Sequence, residues 1–277
     1  MDFPRNDYLS YCIADFLVSQ NYAVDYTGNY YNTVEWLSMC SELEKVQITP
    51  SKYDEGLLYC GKAWDYSVSK SAISYQLTTV LVQFLFAWGA FESLIKATVP
   101  NKQIKKYGKI NALCSYFKEH NLNRFLPDGY LCEYERMVTL LRGIPGYKDI
   151  LINLGMEKQT KYSFKSYVDV DISGVGVYVV SKIRNNFVHG QMRFPEPAEY
   201  GGEPNSNIEL IHTATRITLM TMLIVLISDV KDHDFILENA PNDGMQYSAL
   251  MYLKNLCSYH SEVFEGQMQL SDFVDLS

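Results

Sequence analysis

The chain has no excess of positive charge: 24 Lys and Arg stand against 32 Asp and Glu in 277 residues, a formal net charge of −8. That balance argues against broad wrapping of nucleic acid, which needs a strongly basic surface. It leaves room for an enzyme that holds a few phosphates in a local cleft. Cysteine is sparse and its spacing carries no motif. Cys12, Cys40, Cys60, Cys114, Cys132 and Cys257 form no C-x-x-C pair, and none lies at metal-ligand spacing from a His. No basic segment followed by an apolar stretch opens the chain, so no signal peptide is expected. The expectation is a reduced, cytoplasmic protein. Long apolar runs are missing as well: Gln76–Phe91 and Ile217–Ser228 fall short of the ~20 residues a membrane span needs. Both predict buried helices and no membrane partner. Charged residues are only 20% of the chain and hydrophobic ones 47%, which excludes a disordered, self-repelling polymer. There is no internal repeat and no low-complexity tract.

What the sequence does have is helical periodicity. Leu77, Val80, Leu81, Phe84, Leu85, Trp88, Phe91, Leu94 and Ile95 recur at steps of three and four, predicting a helix over Ser71–Thr98 that Pro100 stops. Further helices are expected over residues 8–19, Thr33–Lys45, Ser51–Val68, Lys102–His120, Leu131–Arg142, Gly176–His189, Ile208–Val230 and Asp243–His260. Residues Asn21–Asn32 read as a loop, and Tyr167–Val170 as a short strand. The fold class is therefore all-α, a helical bundle. Its core is expected over residues 71–230, with a helical and irregular extension over 1–70 and a helical one over 231–277. The 22 Tyr residues suit the rims of helix contacts or the stacking of bases. Tyr30, Tyr31 and Trp36 are candidates for an exposed recognition surface, with core packing the alternative. Lys102, Lys105, Lys106 and Lys109, then Lys158, Lys161 and Lys165, are two basic stretches. Each reads as a solvated face or as a phosphate contact.

One segment carries chemistry, Arg184-Asn185-Asn186-Phe187-Val188-His189. On a helical wheel Val179, Val180, Ile183, Phe187 and Gly190 share a core arc. Tyr178, Ser181, Lys182, Arg184, Asn185, Val188 and His189 share the opposite one. Asn185 and His189 are one turn apart. A His moves protons near neutral pH, an Arg stabilises charge building on a phosphate oxygen, and an Asn fixes either by hydrogen bonds. That set suits cleavage of RNA without a metal or other cofactor. An Arg followed by Asn, Asp or His, and by a His four to six residues later, should arise by chance roughly 0.05 times in a chain of this composition. Tyr178 and Lys182, on the same arc, are candidates to contact substrate. The remaining histidines have duller readings: His120 closes a helix, His212 lies on an apolar helix, Asp232-His233-Asp234 reads as a turn, and His260 has no partner in sequence. No nucleophile motif of the Ser/His/Asp or Cys/His kind is present.

The segment Arg184-Asn185-Asn186-Phe187-Val188-His189-Gly190 resembles the R-N-x3-H signature of the HEPN (higher eukaryotes and prokaryotes nucleotide-binding) superfamily. Phe86-Ala87-Trp88-Gly89-Ala90-Phe91-Glu92-Ser93-Leu94-Ile95 is similar to the first core helix of many members. The resemblance covers about residues 71–230. It implies a helical bundle that dimerises, so that Arg and His of two protomers form a composite cleft. There the ribose 2′-hydroxyl attacks the adjacent phosphate, leaving a cyclic phosphate and a 5′-hydroxyl. It also implies that Arg184, Asn185 and His189 take the catalytic positions, in a toxin or antiviral effector, with a regulatory protein as a candidate partner. One departure stands out. Members silenced by a nucleotidyltransferase often carry Tyr two residues after the His, where this chain has Gln191.

Glu92 lies at the edge of the apolar stripe, where a carboxylate needs a partner. The expectation is that it orients Arg184, against the alternative of a pair with Lys96 along its own helix. The leading functional expectation is an RNA endonuclease. The alternatives are a non-catalytic HEPN module that binds RNA, a nucleotide or a protein, and a helical interaction protein in which Arg184 and Asn185 make structural hydrogen bonds.

Overall fold

The computed structural model describes residues 5–20, 30–48, 61–144, 150–151, 170–191, 194–230, 234–236 and 246–257. Nine α-helices lie among them: α1 (Asn6–Ser19), α2 (Tyr31–Glu42), α3 (Gly61–Thr98), α4 (Asn101–Tyr107), α5 (Lys109–Glu119), α6 (Tyr130–Gly143), α7 (Ile172–Val188), α8 (Pro204–Asp229) and α9 (Ala249–Asn255). The only strands among the described residues are β1 (Asp234–Ile236) and β2 (Gln246–Ser248), an antiparallel pair with Phe235 opposite Tyr247. The class is all-α, as the periodicity predicts.

The helix α8 is the axis of the bundle. From Leu210 to Ile227 nearly every side chain is buried, and α1, α3, α6, α7 and α9 all pack against it. Its buried threonines give their hydroxyls to the carbonyl one turn back: Thr215 to Ile211 at 2.8 Å, Thr218 to Ala214 at 2.8 Å and Thr221 to Ile217 at 2.6 Å. A hydroxyl satisfied within its own helix can enter a core at little cost. Both α3 and α8 are long and apolar enough to cross a membrane, whereas the apolar runs within them looked too short in sequence. The apolar window of α8 is 89% buried within the bundle and that of α3 44%.

The first helices belong to the same core. Leu9, Ile13, Phe16 and Leu17 of α1 and Val34, Leu37 and Cys40 of α2 join one hydrophobic cluster with α3 and α8. Tyr30 is buried, not an exposed recognition residue, and its hydroxyl donates to Asp229 at 2.7 Å. Trp36 is 39% exposed, lying against Phe86 and over Gly89. The boundary drawn at residue 70 falls inside α3, which runs unbroken for 38 residues.

Several helix assignments change, and the helices expected over Ser51–Val68 and Ser71–Thr98 are continuous from Gly61 to Thr98. The single helix expected over Lys102–His120 is two, α4 and α5, because Gly108 has φ +77° and interrupts the helical backbone between them. The helix carrying the motif begins at Ile172 rather than near Gly176. Asp171 caps it, its carboxylate accepting from the N–H groups of Ser173 at 3.1 Å and Gly174 at 3.2 Å. The helix expected over Asp243–His260 is preceded by β2, and the Ser248 hydroxyl, accepting from Met251 N–H at 3.3 Å, starts α9 only at Ala249. Residues 51–60 of the expected Ser51–Val68 helix lie outside the described residues, as do 167–169 of the expected strand and the second basic stretch.

The N-terminal half of α7 is wrapped on all sides. A Cβ at Gly176 would stand 2.6 Å from the Tyr130 hydroxyl oxygen and 2.8 Å from Ile217 Cγ2. Tyr130 is itself buried and donates to the Ser173 carbonyl at 3.0 Å. Gly176→Ala should therefore destabilise the protein by about 1–3 kcal/mol, the usual cost of overpacking. Urea denaturation checks this, and an unchanged midpoint would show that α7 can move off α6 and α8.

Candidate functional site

The motif occupies the last turn of α7 and the cap that follows. His189 is the C-cap residue, and its N–H bonds the Asn185 carbonyl at 3.0 Å. Gly190 N–H reaches the Phe187 carbonyl at 3.0 Å and Gln191 N–H the Asn186 carbonyl at 2.9 Å, with Gly190 at φ +65°. That pair of bonds around a left-handed glycine is a Schellman closure. It fixes the backbone of His189 relative to Arg184 and Asn185.

Phe187 anchors this turn to α3, its ring 6.1 Å from that of Phe84 at 71°. The aromatic row continues through Trp88 and Phe91, with the Trp88 and Phe91 centroids 5.3 Å apart. Trp88 is buried, so its indole N–H needs an acceptor, and Glu92 one turn on supplies it at 2.8 Å. The other oxygen of Glu92 takes a hydrogen bond from Lys109 at the start of α5. Among the described residues Glu92 makes no direct hydrogen bond or ion pair with Arg184 or Lys96; its direct partners are Trp88 and Lys109, and Arg184 acts on it through its charge. The reason is geometric: α5 starts beside the end of α3 and brings Lys109 within reach. Partial burial works against the Glu92 charge. The bonds from Lys109 and Trp88, with the charges of Lys109 and Arg184, outweigh burial and hold the carboxyl below its ordinary range.

Arg184 is half-buried. Its Nη1 donates to Asn185 Oδ1 at a long 3.4 Å, and its Nε is buried with no hydrogen-bond partner among the described residues. Asn185 and His189 are exposed, and His189 makes no side-chain hydrogen bond among the described residues. Lys182 is half-buried, its ammonium 5.0 Å from the centre of the Tyr178 ring. Tyr178 is only 5% exposed, which corrects its expected placement on an open arc as a substrate contact. Ser181 is buried with it. The helical wheel fails there because α5, α6 and α8 enclose α7 as far as Ser181, and the open face begins at Lys182.

Lys109 is the residue that sequence reading undervalued. It stood within a basic stretch whose other members, Lys102, Lys105 and Lys106, are indeed exposed, and nothing in the spacing singled it out. Five of the cysteines are unpaired, four of them buried. Burial pushes the thiols up, to about 11 for Cys12 and Cys40 and about 12 for Cys114 and Cys257, away from nucleophilic use. Among the described residues no group of three or more His, Cys, Asp or Glu side chains converges as a metal site would require. No protein-family model matches the chain, and no curated protein and no solved structure is significantly similar to it.

The Glu92 pair generates a pH prediction. Its lowered carboxyl contributes stability that is complete above the unfolded value, near 4.5, and is lost as pH falls through the lower folded value. Glu92→Gln should cost about 1 kcal/mol at pH 7. The gap in melting temperature between wild type and variant should close as the pH drops below about 4.5. A gap that stays constant to pH 3 would mean that the charge of Glu92 contributes nothing.

Proposed function

We propose that this chain is a HEPN-type RNA endonuclease that cleaves without needing a metal and is active as a homodimer. The observation that carries the reading is the state of Arg184. Its guanidinium is held at the end of α7 by a weak contact to Asn185, with a buried Nε–H that has no acceptor among the described residues. A buried donor without a partner is expensive, and such groups gather where a ligand supplies the missing acceptor. His189 is fixed one turn beyond Asn185 on the same exposed surface.

In the reaction the ribose 2′-oxygen attacks the adjacent phosphorus, and the bond from phosphorus to the 5′-oxygen breaks. A cyclic phosphate and a 5′-hydroxyl result, and no water is consumed in this step. His189 moves the proton between the 2′-hydroxyl and the leaving oxygen. Arg184 stabilises charge on the non-bridging oxygens, and Asn185 positions the imidazole or the phosphate. Lys182 is a further cation for the RNA backbone, and the ion pair of Glu92 and Lys109 props this end of α3.

Asn185, Val188 and His189 stand exposed at the end of α7, so the motif offers RNA an open face. A second copy would supply the opposing wall, and Val188, 53% exposed beside His189, suits the seam. The same openness favours a second reading, a non-catalytic module that binds RNA or a protein through this face.

An RNA cleavage assay in EDTA separates the two. Wild type should leave cyclic-phosphate ends, and His189→Ala and Arg184→Ala should each lower the rate by about 10²–10⁴-fold while keeping the wild-type melting temperature. A folded wild type that binds RNA without cutting it, or that cuts equally well in both variants, would reject the nuclease.

A further inference from the structure

A cleft of about 730 Å³ opens between the start of α1, the end of α2, the middle of α3 and the first half of α8. Its charged groups are already committed. Arg216 donates to Asn6 at 3.2 Å and faces the buried carboxylate of Glu133 at 3.6 Å, and Arg5 pairs with Asp7. The Thr79 hydroxyl donates to the Tyr75 carbonyl and accepts from Val46 N–H. Cations without such partners lie beyond the C-terminal end of α3. From Ser93 to Lys118 the chain carries six Lys and no Asp or Glu, although acids outnumber bases in the whole sequence. Lys102, Lys105 and Lys106 are exposed, and their ammonium groups make no hydrogen bond or ion pair among the described residues. Spaced at i, i+3 and i+4, they form one ridge of α4, while Ile104 packs toward the core. Like charges so placed repel one another and weaken a helix of only seven residues. A polyanion laid along the ridge would relieve that repulsion.

The ridge stands beside the motif. Gln103 at the start of α4 donates to Glu119 at the end of α5 at 3.2 Å, so the two helices fold back on each other about Gly108. The end of α4 therefore meets the start of α5. There Lys109 bonds Glu92, whose carboxylate is within electrostatic reach of Arg184, and α5 packs against both α3 and α7. Tyr107, 41% exposed, closes the ridge on this side, with the Lys106 ammonium 4.6 Å from its ring centre.

We propose that α4 binds single-stranded RNA leading into the motif, with phosphates on Lys102, Lys105 and Lys106 and an unpaired base stacked on Tyr107. The inference rests on the nuclease reading and gives its substrate class. Ammonium groups on flexible stems suit phosphates, and an exposed aromatic ring stacks on a base of any sequence. A duplex keeps its bases stacked on one another, out of reach of Tyr107. A ridge confined to one short helix also fits a chain whose net charge opposes general wrapping of nucleic acid.

Fluorescence anisotropy with a labelled, unstructured RNA of about 12 nucleotides, on His189→Ala so that the strand stays intact, reads binding apart from cleavage. Adding Lys102→Ala, Lys105→Ala and Lys106→Ala together should weaken binding tenfold or more. The slope of log affinity against log salt should flatten by about 2, and the melting temperature should not fall. Tyr107→Ala should weaken binding at least fivefold with the slope unchanged, and Tyr107→Phe should restore it. The same RNA annealed to its complement should bind more weakly than the single strand. With His189 present, the triple lysine variant should raise KM at least tenfold and leave kcat within twofold. Cleavage with an unchanged KM in that variant would overturn the ridge and leave the nuclease standing. Ridge-dependent binding by a wild type that cuts nothing would reject the nuclease alone. Equal binding of the duplex, or binding of phosphatidylserine vesicles and no RNA, would also overturn the proposal.

Discussion

Burial of α8 is the constraint on which the other elements depend. A helix whose side chains from Leu210 to Ile227 are almost all covered needs neighbours on every side, and five other helices supply them. Burying an aliphatic side chain is worth about 1.5–3 kcal/mol, so this one helix commands a large share of the hydrophobic driving force. Its threonines are tolerated because each hydroxyl is satisfied within the helix. The chain before residue 70 is part of the same solution. Tyr30 ties to Asp229 and Asn6 to the α8 backbone, so α1 covers a side of α8 that would otherwise face water, and α2 packs on α1 and α3.

A core closed this completely pushes charge to its edges, and the two polar regions sit where the enclosure ends. On α7 the covering stops after Ser181, and Lys182, Arg184, Asn185 and His189 follow within the last two turns. On α8 the covering is incomplete along the first half, where Glu209, His212 and Arg216 lie, and again at Ser228 and Asp229. In both places an arginine is held from one side by an amide, Asn185 or Asn6, and lies within electrostatic reach of a carboxylate on a neighbouring helix, Glu92 or Glu133. The carboxylates differ in consequence. Glu92 keeps its charge easily because an ammonium and an indole N–H bond it directly. Glu133 meets its arginines only at 3.6 Å and 3.7 Å and is held above the ordinary range.

The helices were legible because their apolar residues recur at helical steps, and the motif was legible because its spacing is rare by chance. The errors have local causes. Gly108 breaks a helix that the flanking periodicity extends, and a single left-handed residue leaves no trace in a hydrophobic pattern. Tyr178 was assigned to an open face because a wheel gives direction but not the number of neighbours. Lys109 was invisible as a partner of Glu92, since 17 positions separate them and only the packing of α5 on α3 brings them together. The cleft did leave a trace. Glu209, His212 and Arg216 follow one another at steps of three and four, a polar stripe along an otherwise apolar helix. Weighing His212 alone conceals that stripe. Glu133 and Arg136 show the same step on α6.

The two polar regions are close through α3. Gln83 lines the cleft, while the next residue, Phe84, packs on Phe187 in the motif turn. Thr79 and Gln83 face the cleft, and Trp88 and Glu92 back the motif, so the two sets span a helical rise of only about 20 Å. Consecutive residues of a helix point about 100° apart, so one turn of α3 presents one side to each region. A helix held by Phe84, Ala87, Trp88 and Phe91 in a close-packed core moves as a body or not at all. The turn that carries Arg184 and His189 belongs to α7, and it meets α3 through Phe187 against Phe84.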